Sequence, residues 1–208
     1  MIKDESVQSW LDSLASSSAT PGGGSATAIM GAMAAALVSM VCRLTIENST
    51  SAALRDEMNG VLQRAEAARA QLTWLIEEDV KAFDAVMAAY ALPRATAEQQ
   101  AARSPAIQAA LHQATLAPLA CARASAEVLA LAAIIVERGH LNAVGESGAA
   151  AQAAHAALRA AALNVSINLG SIKEQAFVDG QLAELEQIVR QYGSLDAHIN
   201  ELLAKRLN

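Results

Sequence analysis

Between Leu72 and Tyr90 the apolar positions of this chain recur at steps of four and three: Leu72, Ile76, then Phe83, Val86 and Tyr90, with Asp79 at the position where a core leucine belongs. Such a period is the stripe of one helix face turned toward a core. A carboxylate in that stripe costs several kcal/mol of desolvation unless it is paired or protonated. Burial also raises a carboxyl pKa toward the range useful for general acid–base work. Asp79 is therefore either a structural carboxylate, bonded to a neighbouring helix or a dimer partner, or a catalytic one.

The rest of the chain agrees with helix. Hydrophobic residues make up 53% of the 208 positions and aromatics only 3%, so the apolar content is mostly alanine. Alanine is the best helix former and a poor core filler, which implies helices packed closely through small residues. A chain so poor in large side chains is expected to bury further surface in an oligomer. No alternating run bounded by turns marks a strand.

The net charge of -6 argues against nucleic acid as a partner. Cys42 and Cys121 lie in alanine-rich contexts and read as buried free thiols of a reducing compartment. No charged-then-apolar leader opens the chain, so a cytoplasmic location is expected. Ala26 to Cys42 carries no charge and approaches the length of a membrane span. Its Ala, Gly, Ser and Thr content favours a buried central helix instead, with no membrane partner.

The expected architecture is all-α, an up-and-down bundle of about six helices with long central members, in one domain over residues 1–208. The first helix spans Glu5 to Ser16, and Ser16 to Thr20 is a polar linker. Pro21-Gly22-Gly23-Gly24-Ser25 breaks the chain and opens a second helix, Ala26 to Ile46. The third, Ala52 to Tyr90, ends at Leu92-Pro93. Thr96 with Gln99 suggests a capping box for a short turn. Ser104-Pro105 suggests the start of the fourth helix, which runs to Arg138 with a kink near Pro118. The fifth covers Gly145 to Ile172. The last runs from Val178 to Leu207, with a break expected at Gly193.

Three polar features could carry chemistry. Three successive glycines cost backbone entropy, yet they let a ligand approach the unpaired N–H groups of the helix start beyond them. A tight turn between closely packed helices would use them equally well. Asn164 and Asn168, four residues apart on an alanine-lined face, suit either helix–helix hydrogen bonds or a polar cleft. Asn142 and Glu146 flank the start of the fifth helix, where an acidic side chain is already favoured by the helix dipole. The four histidines show no metal-ligand spacing, so no metal and no cofactor are expected. Trp10 and Trp74 read as packing residues.

Three segments together resemble the cyclodeaminase/cyclohydrolase family of folate enzymes. They are Thr20-Pro-Gly-Gly-Gly-Ser leading into Gly31-Ala-Met-Ala-Ala-Ala-Leu-Val-Ser-Met-Val-Cys; Glu78-Asp-Val-Lys-Ala-Phe-Asp-Ala-Val-Met-Ala-Ala-Tyr-Ala-Leu-Pro-Arg; and Leu141-Asn followed by Ala161-Ala-Leu-Asn-Val-Ser-Ile-Asn. The resemblance spans nearly the whole chain. It implies a helical bundle that dimerises and a folate small molecule as substrate. The implied reaction is water addition to methenyltetrahydrofolate, giving 10-formyltetrahydrofolate. The alternatives are ammonia release from formiminotetrahydrofolate, or a folate-binding homologue with altered catalysis. By motif, Asp79 and Asn168 would be catalytic, and Pro21, Gly22, Gly23, Gly24, Ser25, Asn142, Glu146 and Asn164 would bind the folate. The chain departs from the family pattern at Glu47-Asn48-Ser49-Thr50, where a lysine run is usual, and at Gly145-Glu146, where a Ser-Asp pair is usual.

Overall fold

A computed structural model describes residues 4–207. Among the described residues there is no strand, and seven α-helices follow one another: α1 (Val7–Leu14), α2 (Gly23–Asn48), α3 (Ala52–Ala91), α4 (Ala97–Arg138), α5 (Val144–Leu169), α6 (Gln175–Gly193) and α7 (Leu195–Leu207). Leu141–Ala143 form one 3-10 turn ahead of α5. The expected last helix divides after Gly193, as its glycine suggested, which turns about six helices into seven.

Helices α2 to α5 form the core. Each packs on the next, and α5 closes back on α2. Their short linkers make sequential neighbours antiparallel. The packing is close because the seam residues are small: Ala28, Ala34 and Ala35 of α2, Ala122 and Ala126 of α4, and Ala150, Ala154, Ala157 and Ala161 of α5 are all buried. At Gly31 the helices come so near that an added Cβ would lie 3.0 Å from a Leu72 methyl and from the Ser125 hydroxyl. Leu72, Leu75, Leu119, Leu129, Leu131, Ile135 and Leu158 fill the space that the alanines leave. Helices α6 and α7 pack on α4 and α5. Cys42 and Cys121 are buried and free, as expected.

Three expectations change. Helix α4 begins at Ala97, not at Ser104: Thr96 caps it, and both halves of the Thr96–Gln99 capping box are formed. Pro105 therefore lies inside the helix. It is tolerated because Pro105 and Ala101 are exposed, so the carbonyl that proline cannot bond has access to water. The core stripe of α3 is also shorter than its pattern. Leu72 and Ile76 are buried, but Phe83 and Tyr90 are exposed and Val86 is half-buried. Trp74 is likewise exposed rather than a packing residue.

Candidate active site

The stripe leaves the core at Asp79 because α2 starts there. The first turn of α2 abuts the Asp79 side chain, and beyond that point α3, α4 and α5 continue without a fourth helix between them. The gap is a cleft of about 340 Å³. Phe83 and Val86 of α3, Leu111 and Pro118 of α4, and Ile167 of α5 form apolar walls, and Asn164 and Asn168 add two amides. Ala19, Thr20 and the glycines of the loop close one side.

The glycines have unequal parts. Gly22 is the N-cap of α2 and offers no side chain to the open N–H groups of the first turn. Asp79 supplies what the cap lacks. The Ser25 hydroxyl donates to Asp79 Oδ2 at 3.0 Å, and the Ser25 backbone N–H also bonds this carboxylate. Such an approach requires glycine at 24, where a Cβ would stand 1.9 Å from Asp79 Oδ1. A Cβ on Gly23 would meet nothing within 4 Å. Pro21 is not among the cleft-lining residues, and Ser25 acts through Asp79.

Burial pushes the Asp79 carboxyl above the ordinary aspartate range, although the two bonds from Ser25 pull the other way. Desolvation dominates because the surroundings are mostly apolar. Both readings of Asp79 thus coexist in one group: it caps a neighbouring helix, and it stands on a cleft with an elevated proton affinity.

Beneath the carboxylate lies a smaller space of about 10 Å³, bounded by Gly24, Thr27, Ala28, Leu75, Asp79, Ala117, Pro118, Cys121, Ala161 and Asn164. That is roughly the room one water molecule needs. The Cys121 thiol on its wall is pushed up to about 12, chiefly by burial, so it is a neutral thiol at physiological pH.

Asn168 has a structural bond that its spacing did not reveal. Pro118 has no N–H for the carbonyl of Ala114, one turn earlier. Asn168 Nδ2 donates to that carbonyl at 2.8 Å. The amide therefore offsets the cost of a proline within α4, and its remaining polar capacity faces the cleft edge. Asn164 lines both the cleft and the small space, whereas Asn168 lines the cleft alone.

Asn142 and Glu146 do not join this group within the chain. They sit at the opposite end of α5, about 30 Å from Asn164 at the helical rise of 1.5 Å per residue. Asn142 is exposed in the 3-10 turn, and Glu146 is half-buried in the first turn of α5. The same end holds the C-terminus of α2, since the His140 N–H donates to Thr45 Oγ1 at 2.9 Å. Sequence reasoning missed Thr20, Leu111, Pro118 and Ile167 as cleft residues. Pro118 carries a signal, being a proline inside a helix, but the sequence alone suggests only a kink there. Among the described residues no three His, Cys, Asp or Glu side chains converge as metal ligands.

A helical bundle with one half-buried carboxylate at a helix start, facing an apolar cleft with paired amides, defines a small-molecule site of the acid–base type. Residues 6–187 match the formiminotransferase-cyclodeaminase family model, and the chain belongs to this family. It is 47% identical over 208 residues to a methenyltetrahydrofolate cyclohydrolase of Methylorubrum extorquens, covering all of both chains. It is 30% identical over 190 residues to a formimidoyltransferase-cyclodeaminase of Rattus norvegicus, covering 91% of this chain and 35% of the rat protein. The crystal structure of a formiminotetrahydrofolate cyclodeaminase from Thermotoga maritima superposes over the full length of both chains with a TM-score of 0.88 at 27% identity.

Proposed function

We propose that the chain is an enzyme of one-carbon metabolism, a methenyltetrahydrofolate cyclohydrolase that hydrolyses 5,10-methenyltetrahydrofolate to 10-formyltetrahydrofolate. The observation that carries this reading is the Asp79 carboxylate, desolvated and raised in pKa, at the meeting of an apolar cleft and a water-sized space. Full-length identity of 47% to a protein named for that reaction supports the choice of substrate.

The chemistry needs few parts. The substrate's amidinium carbon is already electrophilic, so no further activation of the carbon is required. Asp79 accepts a proton from a water held in the space beneath it as the water oxygen bonds to that carbon. The protonated Asp79 then delivers the proton to the ring nitrogen as the carbon–nitrogen bond breaks, and the remaining hydroxyl proton leaves to solvent as its oxygen becomes the formyl carbonyl on the other nitrogen. Before attack the ionised carboxylate also stabilises the cationic substrate, more strongly for being desolvated. Ser25 and Gly24 hold the carboxylate in place. Asn164 orients the water or the pterin, and Asn168 fixes the wall on which Asn164 stands. Phe83, Val86 and Ile167 take the flat apolar parts of the folate.

Formiminotetrahydrofolate cyclodeamination is the second reading. It is favoured by the likeness to the Thermotoga cyclodeaminase and uses the same carbon, with ammonia leaving. The free buried thiols fit a reducing cytoplasm. We also infer a homodimer, since composition suggests an oligomer and the family resemblance implies a dimer.

The test is to mix purified protein with methenyltetrahydrofolate and follow loss of its ultraviolet absorbance against the spontaneous rate. Acceleration is expected. No acceleration with methenyltetrahydrofolate, but ammonia release from formiminotetrahydrofolate, would transfer the assignment to the cyclodeaminase. Neither activity in a folded protein would refute both.

A further inference from the structure

Past the cleft, the α3–α4 hairpin has a small apolar cluster of its own. Ala89 of α3 meets Ile107 and Leu111 of α4, with Val86 and Ile172 packed against them. Val86 and Leu111 are also the last cleft residues on their helices. One turn beyond Val86 stands Tyr90, and two turns before Leu111 stands Arg103. Both keep to the cleft side of their helices. Asp79, Phe83, Val86 and Tyr90 follow at steps of four, three and four, and Arg103, Ile107, Leu111 and Pro118 at steps of four, four and seven.

Arg103 is set apart from the other arginines. Arg43, Arg64, Arg69, Arg123 and Arg138 each pair with a glutamate. Arg55, Arg94 and Arg159 are exposed, where water serves a cation well. Arg103 is half-buried, and it has no acidic partner among the described residues. Its Nη2 donates to the Tyr90 carbonyl at 2.8 Å, and its guanidinium lies over the Tyr90 ring, 5.8 Å from the centroid. Its Nε is enclosed with no hydrogen-bond partner. The guanidinium is thus fixed in place and partly stripped of water, and the chain supplies no counter-charge. A charged group left so costs free energy unless a ligand completes it.

We propose that Arg103, held by Tyr90 beyond the end of the cleft, takes a carboxylate of the substrate's glutamyl tail and so selects for substrates that carry one. The inference rests on the folate reading and deepens it. The order of charge is the first support. From the carboxylate of Asp79 the site runs through the apolar walls of Phe83, Val86 and Leu111 to the cation of Arg103. Methenyltetrahydrofolate has the complementary order: a cationic amidinium, a flat benzoyl ring and an anionic tail. Length is the second support. Asp79 and Tyr90 are about 16 Å apart along α3. About eleven bonds link the amidinium carbon to the far carboxyl carbon of the tail, about 13 Å at an advance of roughly 1.2 Å per bond. A charge-assisted N···O bond adds about 3 Å. The pterin is then left at the polar end, beside Asn164 and the glycine loop.

The experiment compares kcat and KM on methenyltetrahydrofolate with those on its methylamide analogue, which keeps the benzoyl amide and lacks both tail carboxylates. In the wild type the analogue is expected to lose about 10- to 100-fold in kcat/KM, chiefly through KM. Arg103→Gln should lose as much on the full substrate and little more on the analogue, with circular dichroism following the fold. Arg103→Lys keeps the charge without the planar fork and should recover part of the loss. A wild type that turns over both substrates equally would overturn the proposal. So would an Arg103→Gln loss that is equal on the two, the result expected of a structural arginine. Should Arg103→Gln fail to fold, the wild-type comparison and Arg103→Lys carry the same test. A wild type that turns over neither substrate would count against the cyclohydrolase reading instead. Calorimetry with 4-aminobenzoylglutamate then decides the arginine. Binding that weakens about tenfold or more in Arg103→Gln, or in Arg103→Lys if the glutamine variant is unfolded, supports the site; absent or unchanged binding overturns it.

Discussion

The two ends of α5 carry similar polar residues and end up with different work. At the C-terminal end, Asn164 and Asn168 face a cleft, and one of them repairs a backbone carbonyl orphaned by Pro118. At the N-terminal end, Asn142 is exposed and Glu146 sits in the first helical turn, where the dipole already favours it. The difference is not in residue type or spacing. It comes from what stands opposite: a terminating α2 with a carboxylate at one end, and solvent at the other. A polar residue on a helix becomes part of a site only when the bundle leaves a gap beside it.

The strongest challenge to that comparison is at Gly24. A Gly24→Ala change places a Cβ within 1.9 Å of the present Asp79 Oδ1 position, so the carboxylate must move. A displacement of this size at a reacting group costs about 10²-fold in turnover or more. Helix content should remain, and kcat with circular dichroism checks both. Wild-type kcat in this variant would mean that the Asp79 position is not demanding.

Next comes Asn168→Ala, which leaves the Ala114 carbonyl without its bond and should lower unfolding free energy by about 1–3 kcal/mol in a urea titration. At the other end, Asn142→Ala should change stability by less than about 0.5 kcal/mol, as expected for an exposed turn residue. Equal losses at the two ends would remove the distinction between them.

A smaller effect concerns pH. The Asp79 carboxyl has a raised pKa in the folded chain, because desolvation outweighs the Ser25 bonds. Between the ordinary aspartate value and the raised one, the folded chain keeps a proton that the unfolded chain has released. Stability therefore declines as pH rises through that window and levels off above it. Asp79→Asn should erase this component of the pH dependence. Thermal melts of both proteins across the acid range would show the slope in the wild type alone.

Much of this is legible in the sequence. Periodicity and the Leu92-Pro93 stop mark α3 to within a residue, and the glycine at 193 marks the division of the last helix. The α4 start was misjudged because Ser104-Pro105 is a strong local signal, while the complete Thr96–Gln99 box upstream wins through two mutual bonds. Asp79 stood out because a carboxylate interrupts an apolar stripe. What the stripe could not reveal is that it leaves the core at that residue, since this depends on where α2 begins. Nor could spacing along α5 disclose that Asn168 answers Pro118, a partner 50 positions earlier and on another helix. The meeting of Asp79 with Gly24 was foreshadowed only by the family resemblance, which joined the two motifs without their geometry.

The most direct test of the central role of Asp79 is the pH dependence of kcat on methenyltetrahydrofolate for the wild type and Asp79→Asn. The wild-type rate should rise with pH through a value above the ordinary aspartate range, as the carboxylate becomes available as a base. The Asn variant should lose about 10²–10⁴-fold in kcat and the rise with it. A variant that keeps both the rate and the same pH profile would contradict the assignment and leave Asp79 as a helix cap alone.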